Sequence, residues 1–379
     1  MRFEFATAAR IVFGEGTAAE TAEAARSMGR RLLLVTGGSD RAVAACGAIE
    51  PAVRMRVQRE PEIEQVREWA EAGRAARADV VLAIGGGSVL DTGKALAGLM
   101  TNPGDALDYL EVIGKGKPIE RPAAPLIAVP TTAGTGSEVT RNAVLASPAH
   151  RVKASLRSAY LLPRLAVIDP ELTLSLRPET TAASGLDALT QLIEAYVSVR
   201  ANPMTDRLCA DGIPRAARAL PRVWDDPRDG EARRDMAWSS LLSGMALANA
   251  GLGAVHGFAA PIGGMFPAPH GAVCAALLPH AMEINIRALR SRDGEGTALA
   301  RYRQVAQWLT GDPAAGAEDG AVWAGKLCRK LEIPPLSRYG VDYASAAALA
   351  AQAAKASSMK GNPIALSGDE LAELVTRAI

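Results

Sequence analysis

The chain shows no excess of either charge. Its 379 residues include 42 lysines and arginines and 41 aspartates and glutamates, a formal net charge of +1. A nucleic-acid-binding surface usually appears as an excess of basic residues, so we expect no nucleic-acid partner. The length is sufficient for two domains, each with its own hydrophobic core.

Long apolar runs are also missing. The first residues, MRFEFATAARIVFGEG, include acids and contain no apolar h-region, so we expect no signal peptide. No stretch approaches the ~18 apolar residues that a membrane-spanning helix needs, so we expect no membrane partner. Cys46, Cys209, Cys274 and Cys328 form no C-x-x-C pair. This pattern predicts a reduced, cytoplasmic protein without a thiolate metal site.

The two halves of the sequence differ in the pattern of their apolar residues. In the first half, apolar strand-like runs such as Val80–Ser88 and Leu126–Glu138 alternate with helix-like segments. This alternation predicts an α/β domain whose parallel sheet is covered on both faces. After Arg177 the segments become rich in Ala and Leu, which predicts an all-α domain. We place the domains at 1–177 and 178–379.

One glycine-rich segment, GGGSVLDTGK (Gly85–Lys94), follows a predicted strand and opens a helix. Glycines there let a phosphate approach the N–H groups of the helix N-terminus. The P-loop pattern does not fit, because five residues separate Gly87 from Gly93 and Ala95 follows the lysine. The G-x-G-x-x-G pattern fails at Leu90. A simple tight turn between strand and helix is the alternative.

Two further loops strengthen the nucleotide interpretation. PTTAGTGSEVT (Pro130–Thr140) and VTGGSD (Val35–Asp40) each follow another predicted strand. Loops at the carboxyl ends of parallel strands meet at one edge of the sheet, where nucleotides bind in open α/β folds. The three loops together therefore predict a dinucleotide site.

Histidine is scarce, but it is concentrated. Three of the four histidines lie between His256 and His280, and Gly and Pro surround two of them in VHGFAAPIGGMFPAPHG. On the helix predicted for ASGLDALTQLIEAY, Asp187 and Gln191 share a face. Asp187 with His256 and His270 would supply an N/N/O set suited to Zn²⁺ or Fe²⁺. The alternative is a capped aspartate and two hydrogen-bonded histidines.

The order of these motifs, with DPELT (Asp169–Thr173) and LLPHAME (Leu277–Glu283), resembles the iron-containing (group III) alcohol dehydrogenases over nearly the whole chain. The resemblance implies an N-terminal nucleotide-binding α/β domain, a C-terminal helical domain and a metal in the cleft between them. It also implies a homodimer or larger homo-oligomer. His280 matches a family position that is not a ligand, and His150 matches no role and is expected in a surface loop.

The resemblance carries specific roles onto this chain. It assigns metal binding to Asp187, His256 and His270, with Gln191 as a ligand or near-ligand. It assigns cofactor binding to Gly86, Gly87, Ser88, Thr131, Thr132, Thr135, Asn142 and Lys153. We add Gly37, Ser39 and Asp91 to the predicted cofactor-binding residues.

The chain departs from the family pattern at three positions. Gln191 replaces the usual histidine, and Ala260 replaces a second histidine that many members carry. Gly37 stands where NAD-preferring members often have an acid. Because an acid there repels a 2′-phosphate, and Ser39 is available as a donor, we predict that NADPH is accepted.

The predicted function is a metal-dependent, NAD(P)-linked alcohol dehydrogenase or aldehyde reductase, with Fe²⁺ or Zn²⁺ as the metal. The substrate pocket for a small alcohol or aldehyde should be mostly apolar. Phe258 is a candidate wall of this pocket, and plain core packing is the alternative for it. Three alternatives remain at this point: a maleylacetate reductase, which would need extra basic residues; a lyase resembling dehydroquinate synthase; and a metal-free nucleotide-binding relative, which Gln191 leaves open.

Overall fold

The structure is a computed structural model that describes residues 2–379. It separates into two compact units. One contains Ala6–Ser175, and the other contains Leu176–Ile379 together with residues 2–5. The division thus falls two residues before the boundary expected from the sequence at 177/178.

The strands of the Ala6–Ser175 unit are β1 Ile11–Phe13, β2 Leu32–Thr36, β3 Val53–Arg56, β4 Val80–Gly85, β5 Leu126–Pro130, β6 Asn142–Ser147, β7 Val152–Arg157 and β8 Leu165–Ile168. Six of them form a parallel sheet in the order β1-β8-β5-β4-β2-β3. The other two, β6 and β7, form a separate antiparallel hairpin, which the sequence interpretation did not include.

Successive residues of the central strands enter different hydrophobic cores. In β2, Leu33 and Val35 join one core, and Leu32 and Leu34 join the other. This follows from the period of two in a strand, which sends neighbouring side chains to opposite faces. The helices of this unit are α1 Thr21–Met28, α2 Asp40–Ala45, α3 Ile63–Ala75, α4 Gly87–Thr101 and α5 Ala106–Tyr109. The prediction of a parallel sheet covered on both faces is confirmed.

The sheet has a topological switch point between β2 and β4. From β2 the chain moves outward to β3, and it then returns to the other side of β2 to form β4, β5 and β8. Loops at the carboxyl ends of strands diverge at such a point and leave a crevice in which ligands bind. The loops after β2 and β4 begin at Gly37 and Gly86, so two of the predicted nucleotide loops flank the switch point.

Between Leu176 and Ile379, where every residue is described, all regular elements are helical. This confirms the predicted helical C-terminal region. The helices are α6 Pro178–Val197, α7 Pro203–Asp225, α8 Gly230–Ala250, α9 Ala254–Met265, α10 His270–Arg292, α11 Thr297–Thr310, α12 Ala317–Lys330, α13 Ala346–Ala353 and α14 Gly368–Arg377.

The helix α10 is long and apolar enough to cross a bilayer, judged by length and composition alone. The sequence expectation that no segment approaches the length and apolar character of a membrane-spanning helix was therefore wrong. Since 72% of its most apolar window is buried inside the protein, α10 is better described as a core helix. The helices α8 and α9 would qualify only as a pair bent by 98°.

Candidate active site

Three helices of the Leu176–Ile379 unit bring the predicted metal ligands together. Asp187 lies in the middle of α6, His256 in the first turn of α9, and His270 at the first residue of α10. The Asp187 Oδ1 atom lies 3.2 Å from His256 Nε2 and 3.6 Å from His270 Nε2. The carboxylate and both imidazoles thus face one point.

The glycine and proline residues around His270 explain this approach. Pro269 is the N-cap of α10, and its extended backbone starts the helix at the histidine. A Cβ atom on Gly271 would lie 2.4 Å from the carbonyl oxygen of Ala183, one turn before Asp187 on α6. Only glycine therefore permits the close contact of α10 with α6 that places His270 beside Asp187.

Glu194 fixes the orientation of His256. Its Oε2 atom lies 2.6 Å from His256 Nδ1, and its Oε1 atom accepts a hydrogen bond of 2.7 Å from the Val255 N–H. With Nδ1–H donated to Glu194, the neutral imidazole directs the Nε2 lone pair toward Asp187. Such a carboxylate–histidine pair is the usual outer support of a metal-binding histidine.

A fourth donor, Cys274, joins the three predicted ones. Its Sγ atom lies 3.7 Å from Nε2 of His256 and 3.7 Å from Nε2 of His270. The candidate ligand atoms of Asp187, His256, His270 and Cys274 all lie within 4.8 Å of one another. The residues predicted as ligands are thus accompanied by a thiol that the sequence interpretation excluded from metal binding.

The electrostatics of this cluster favour a positive charge at its centre. Burial opposes protonation of His256, but Cys274, Asp187 and Glu194 outweigh it and raise the pKa well above its ordinary value. Burial likewise opposes ionisation of Asp187, yet His270 and His256 hold its pKa below its ordinary value. Lone pairs that converge in this way need either protons or a cation between them. A divalent metal satisfies the same requirement.

Gln191 lies one turn after Asp187 on α6 and is buried. Its Oε1 atom accepts a hydrogen bond of 2.8 Å from the Ser243 hydroxyl on α8. One lone pair of the amide oxygen is therefore already used inside the protein. The structure brings Gln191 to the same helix face as Asp187.

The two glycine and hydroxyl loops of the Ala6–Ser175 unit touch each other. A Cβ on Gly87 would lie 2.8 Å from Thr135 Cγ2, and one on Gly86 would lie 3.3 Å from Thr132 Cγ2. Because β4 and β5 are neighbours, with Gly85 paired to Pro130, their loops leave the sheet side by side. The N-cap of α4 is Gly86, which has no side chain, so the N-terminal N–H groups are accessible to an anion.

The other predicted cofactor residues in and next to these two loops are Ser88, Thr131 and Asp91. Ser88 lies in the first turn of α4, and Thr131 donates its N–H to the Gly85 carbonyl at 3.0 Å. Asp91 accepts hydrogen bonds from Ser137 Oγ at 2.6 Å and from the Val144 N–H at 2.9 Å. It also pairs with Lys94 at 3.0 Å. Both carboxylate oxygens of Asp91 thus tie α4 to its neighbours.

The loop after β2 holds the next two predicted residues. Gly37 donates its N–H to Ile84 at 3.3 Å, and Ser39 is the N-cap of α2, where its hydroxyl accepts from the Ala42 N–H. The Arg56 guanidinium donates to the Gly38 carbonyl at 3.1 Å. An arginine that the sequence interpretation did not single out therefore lies over this loop.

Asn142 and Lys153 lie on the β6–β7 hairpin. Lys153 pairs with Ala146 across the hairpin, so four residues of β6, about 13 Å, separate its level from that of Asn142. Lys153 Nζ lies 3.2 Å from Glu60 Oε1, and Asn142 accepts from Lys94 through its backbone carbonyl. The hairpin thus presents the two side chains at opposite ends.

Three residues named from the sequence lie away from these clusters. Phe258 is fully buried in the helical core with Val255 and Ile262, which agrees with the alternative of plain core packing. His280 lies on α10, where burial and Arg377 lower its pKa. His150 is exposed in a short 3-10 turn and contacts Ser147, as expected for a surface residue.

Sequence reasoning missed Glu194 and Cys274, although the helical spacing of both is compatible with a place beside a predicted ligand. Glu194 is seven residues after Asp187, and Cys274 is four residues after His270. Both spacings place a residue on the same helix face as a predicted ligand.

Comparison with known proteins gives a consistent result. Residues 8–170 match the iron-containing alcohol dehydrogenase family, and residues 181–379 match the C-terminal part of the Fe-containing alcohol dehydrogenase family. The chain is 36% identical over 300 residues to alcohol dehydrogenase 4 of Saccharomyces cerevisiae, covering 76% of this chain and 78% of that protein. It is 35% identical over 332 residues to 1,3-propanediol dehydrogenase of Klebsiella pneumoniae, covering 87% and 84%.

A solved structure of 1,3-propanediol oxidoreductase superposes on the whole of this chain with a TM-score of 0.88 and 30% identity, and all of that chain is covered. These matches confirm the resemblance noted in the motifs. The chain therefore belongs to the iron-containing alcohol dehydrogenase family and is a metal-dependent, NAD-linked oxidoreductase that acts on CH–OH groups.

Proposed function

We propose that Asp187, His256 and His270 hold the divalent metal of this enzyme, with Gln191 beside them, and that the enzyme interconverts a small alcohol and its aldehyde. The observation that carries this proposal is the convergence of Asp187 Oδ1 on two imidazole nitrogens at 3.2 and 3.6 Å. A bound divalent metal supplies a Lewis acid, which polarises a carbonyl oxygen and favours loss of the alcohol proton.

The protein residues prepare this site before any ligand arrives. Glu194 holds the Nδ1 proton of His256, so that Nε2 keeps its lone pair. Asp187 is almost fully buried, which removes water that would otherwise compete for its oxygens. A bound nicotinamide would supply or accept the hydride, so no protein nucleophile is required.

For the cofactor, we propose that Gly86, Gly87 and Ser88 receive the pyrophosphate at the N-terminus of α4. Gly86 at the N-cap carries no side chain, so the N–H groups at the start of α4 are accessible to a phosphate. Thr131, Thr132 and Thr135 would then contact the cofactor from the second loop. Asp91, whose oxygens are both engaged, would act by positioning α4.

The hairpin residues would meet different parts of the cofactor. Asn142 and Lys153 lie at opposite ends of β6–β7, a spacing that suits an extended dinucleotide. Lys153 is tied to Glu60 at 3.2 Å, which would hold its ammonium group in place. Both assignments follow the family resemblance.

We further propose that NADPH is accepted along with NADH. Gly37 has no charge to repel a 2′-phosphate, and the Ser39 hydroxyl accepts from the Ala42 N–H while its own proton remains available to donate. Arg56 adds a positive charge over Gly38. Asp40, the acid of this loop, lies 3.5 and 3.6 Å from Arg54 and Arg56, which offset its charge.

We also propose a cytoplasmic homodimer or larger homo-oligomer. All four cysteines are free and three of them are buried, which fits a reducing compartment. The strand β1 stands at the edge of the sheet, where strand addition from a second copy would extend it. Light scattering in solution tests the assembly.

The central test is a comparison of wild type with His270→Ala, using His280→Ala as the matched control on the same helix. Reduction of short aldehydes by NADH and NADPH is measured with Fe²⁺ or Zn²⁺ present. We expect His270→Ala to lose bound metal and to lower kcat by orders of magnitude, because Lewis-acid stabilisation contributes several kcal/mol. His280→Ala should retain both.

Wild-type turnover by His270→Ala after exhaustive chelation would contradict the metal assignment. Maleylacetate and a dehydroquinate synthase substrate belong in the same panel. Turnover of either one in preference to simple aldehydes would replace the proposed substrate class.

A further inference from the structure

The candidate metal site contains a fourth donor, Cys274, in addition to Asp187 and the two histidines. Cys274 is buried on the first turns of α10, four residues after His270, and shares a helix face with it. Its sulfur contacts both imidazole nitrogens, as described above. Resting on the proposed metal role of Asp187, His256 and His270, we propose that Cys274 is the fourth protein ligand and directs the site toward Zn²⁺ rather than Fe²⁺.

Four of the six separations between the donors match those expected for tetrahedral zinc, which can expand to five-coordinate when a substrate binds. Zn–N and Zn–O bonds of about 2.0–2.2 Å with a Zn–S bond of about 2.3 Å put nitrogen and oxygen donors about 3.3 Å apart, and sulfur and nitrogen about 3.6 Å apart. The observed N–O separations are 3.2 and 3.6 Å. Both S–N separations are 3.7 Å.

Hydrogen bonding accounts for this arrangement less well. His256 Nε2 faces both Asp187 Oδ1 and Cys274 Sγ, while its other nitrogen is committed to Glu194. A thiol has a single proton, so it donates to at most one of the two imidazoles. A cation at the centre satisfies all four atoms at once.

A thiolate changes which metal the site prefers. Carboxylate and imidazole accept either Fe²⁺ or Zn²⁺, whereas a soft thiolate favours Zn²⁺, which also lies later in the general order of affinities. Gln191 does not supply an equivalent donor, because its amide oxygen is harder than sulfur and already accepts from Ser243. The ligand set Asp/His/His/Cys therefore favours Zn²⁺ over Fe²⁺ at this centre.

The test is spectroscopic and independent of turnover. Metal-free protein is titrated with Co²⁺, and thiolate-to-cobalt charge transfer is followed in the near ultraviolet, while equilibrium dialysis counts the bound ions. The variants are Cys274→Ala and Cys274→Ser, with Cys209→Ala as the control because Cys209 is also fully buried in this unit. Circular dichroism checks that each variant folds.

We expect one Co²⁺ per chain and a charge-transfer band in wild type and Cys209→Ala. The band should disappear in both Cys274 variants. Zn²⁺ affinity in those variants should fall by at least the ~10–100-fold seen when metal-site partners are removed, with a smaller loss for Fe²⁺.

Two outcomes would overturn the proposal in distinguishable ways. If wild type binds one Co²⁺ and His270→Ala does not, but the band is missing from wild type, Cys274 is not a ligand and the proposed metal site stands. If wild type binds no Co²⁺ at all, the proposed metal site and the role of Cys274 both fail.

Discussion

Glu194 offers a direct test of how the site is built, because it touches a proposed ligand without being one. The carboxylate accepts from two donors at once, the Val255 N–H at 2.7 Å and His256 Nδ1 at 2.6 Å. In Glu194→Gln the side chain keeps its size but retains only one accepting oxygen. The variant therefore cannot satisfy both donors.

Either orientation of the new amide is unfavourable. If its oxygen faces Val255, the NH₂ group faces Nδ1, and the ring proton of His256 moves to Nε2, which then has no lone pair for the metal. If its oxygen faces His256, the buried Val255 N–H loses its acceptor, at a cost of about 1–3 kcal/mol. We expect metal affinity to fall by ~10–100-fold, or about 1.4–2.7 kcal/mol.

The assay is competition for Zn²⁺ against a calibrated chelator, with thermal unfolding of the metal-free protein as a second readout. Glu295→Gln is the matched control, because Glu295 is exposed and pairs with Arg290 and Arg303 on the surface. A folded Glu194→Gln protein with wild-type Zn²⁺ affinity would refute the claim that this carboxylate sets the tautomer of His256.

Three further predictions address the cofactor loop, the ligand sphere and the pH dependence of stability. Gly37→Asp should shift the ratio of kcat/KM for NADPH and NADH toward NADH by roughly tenfold or more, since like charges near a surface repel by about 1–4 kcal/mol at 4 Å. The new side chain fits, because a Cβ at position 37 meets Val89 at an ordinary 3.4 Å. The control is Gly38→Asp, whose Cβ lies in open space. An unchanged ratio would show that position 37 lies away from the ribose. Gln191→His should tighten Zn²⁺ binding by roughly tenfold when combined with Cys274→Ala, because it restores a fourth donor one turn from Asp187; unchanged or weaker binding would mean that position 191 points elsewhere. Burial raises the pKa of Glu138 from 4.5 to about 7. Between these two pH values the folded protein keeps a proton that the unfolded chain loses. The free energy of unfolding should therefore decrease by about 3 kcal/mol as pH rises from 4.5 to about 7. Glu138→Gln should remove this decrease in urea titrations, the exposed Glu64→Gln should preserve it, and an unchanged slope in Glu138→Gln would contradict the assignment.

Much of the fold could be predicted from local patterns alone. The apolar strands ending in glycine required only the period of two and the need to cover both faces of a parallel sheet. The helical half followed from composition, and its first long helix begins at Pro178 as the sequence suggested. The β6–β7 hairpin was missed because its alternation, with Ala143 and Leu145 buried beside partly exposed neighbours, is short and lies between stronger signals.

The candidate site divides in the same way. The sequence by itself determined that Asp187, His256 and His270 were donors of the right chemistry, because their neighbours and order were distinctive. Only the tertiary structure decided that Cys274 and Glu194 belong with them, since a thiol and a carboxylate on Ala-rich helices look alike wherever they occur. Gly271 permits α10 to pack closely against the backbone of Ala183 on α6, and this packing determines which donors lie together. Distances between side chains on separate helices depend on how closely the helices approach, and that is a property of the folded chain.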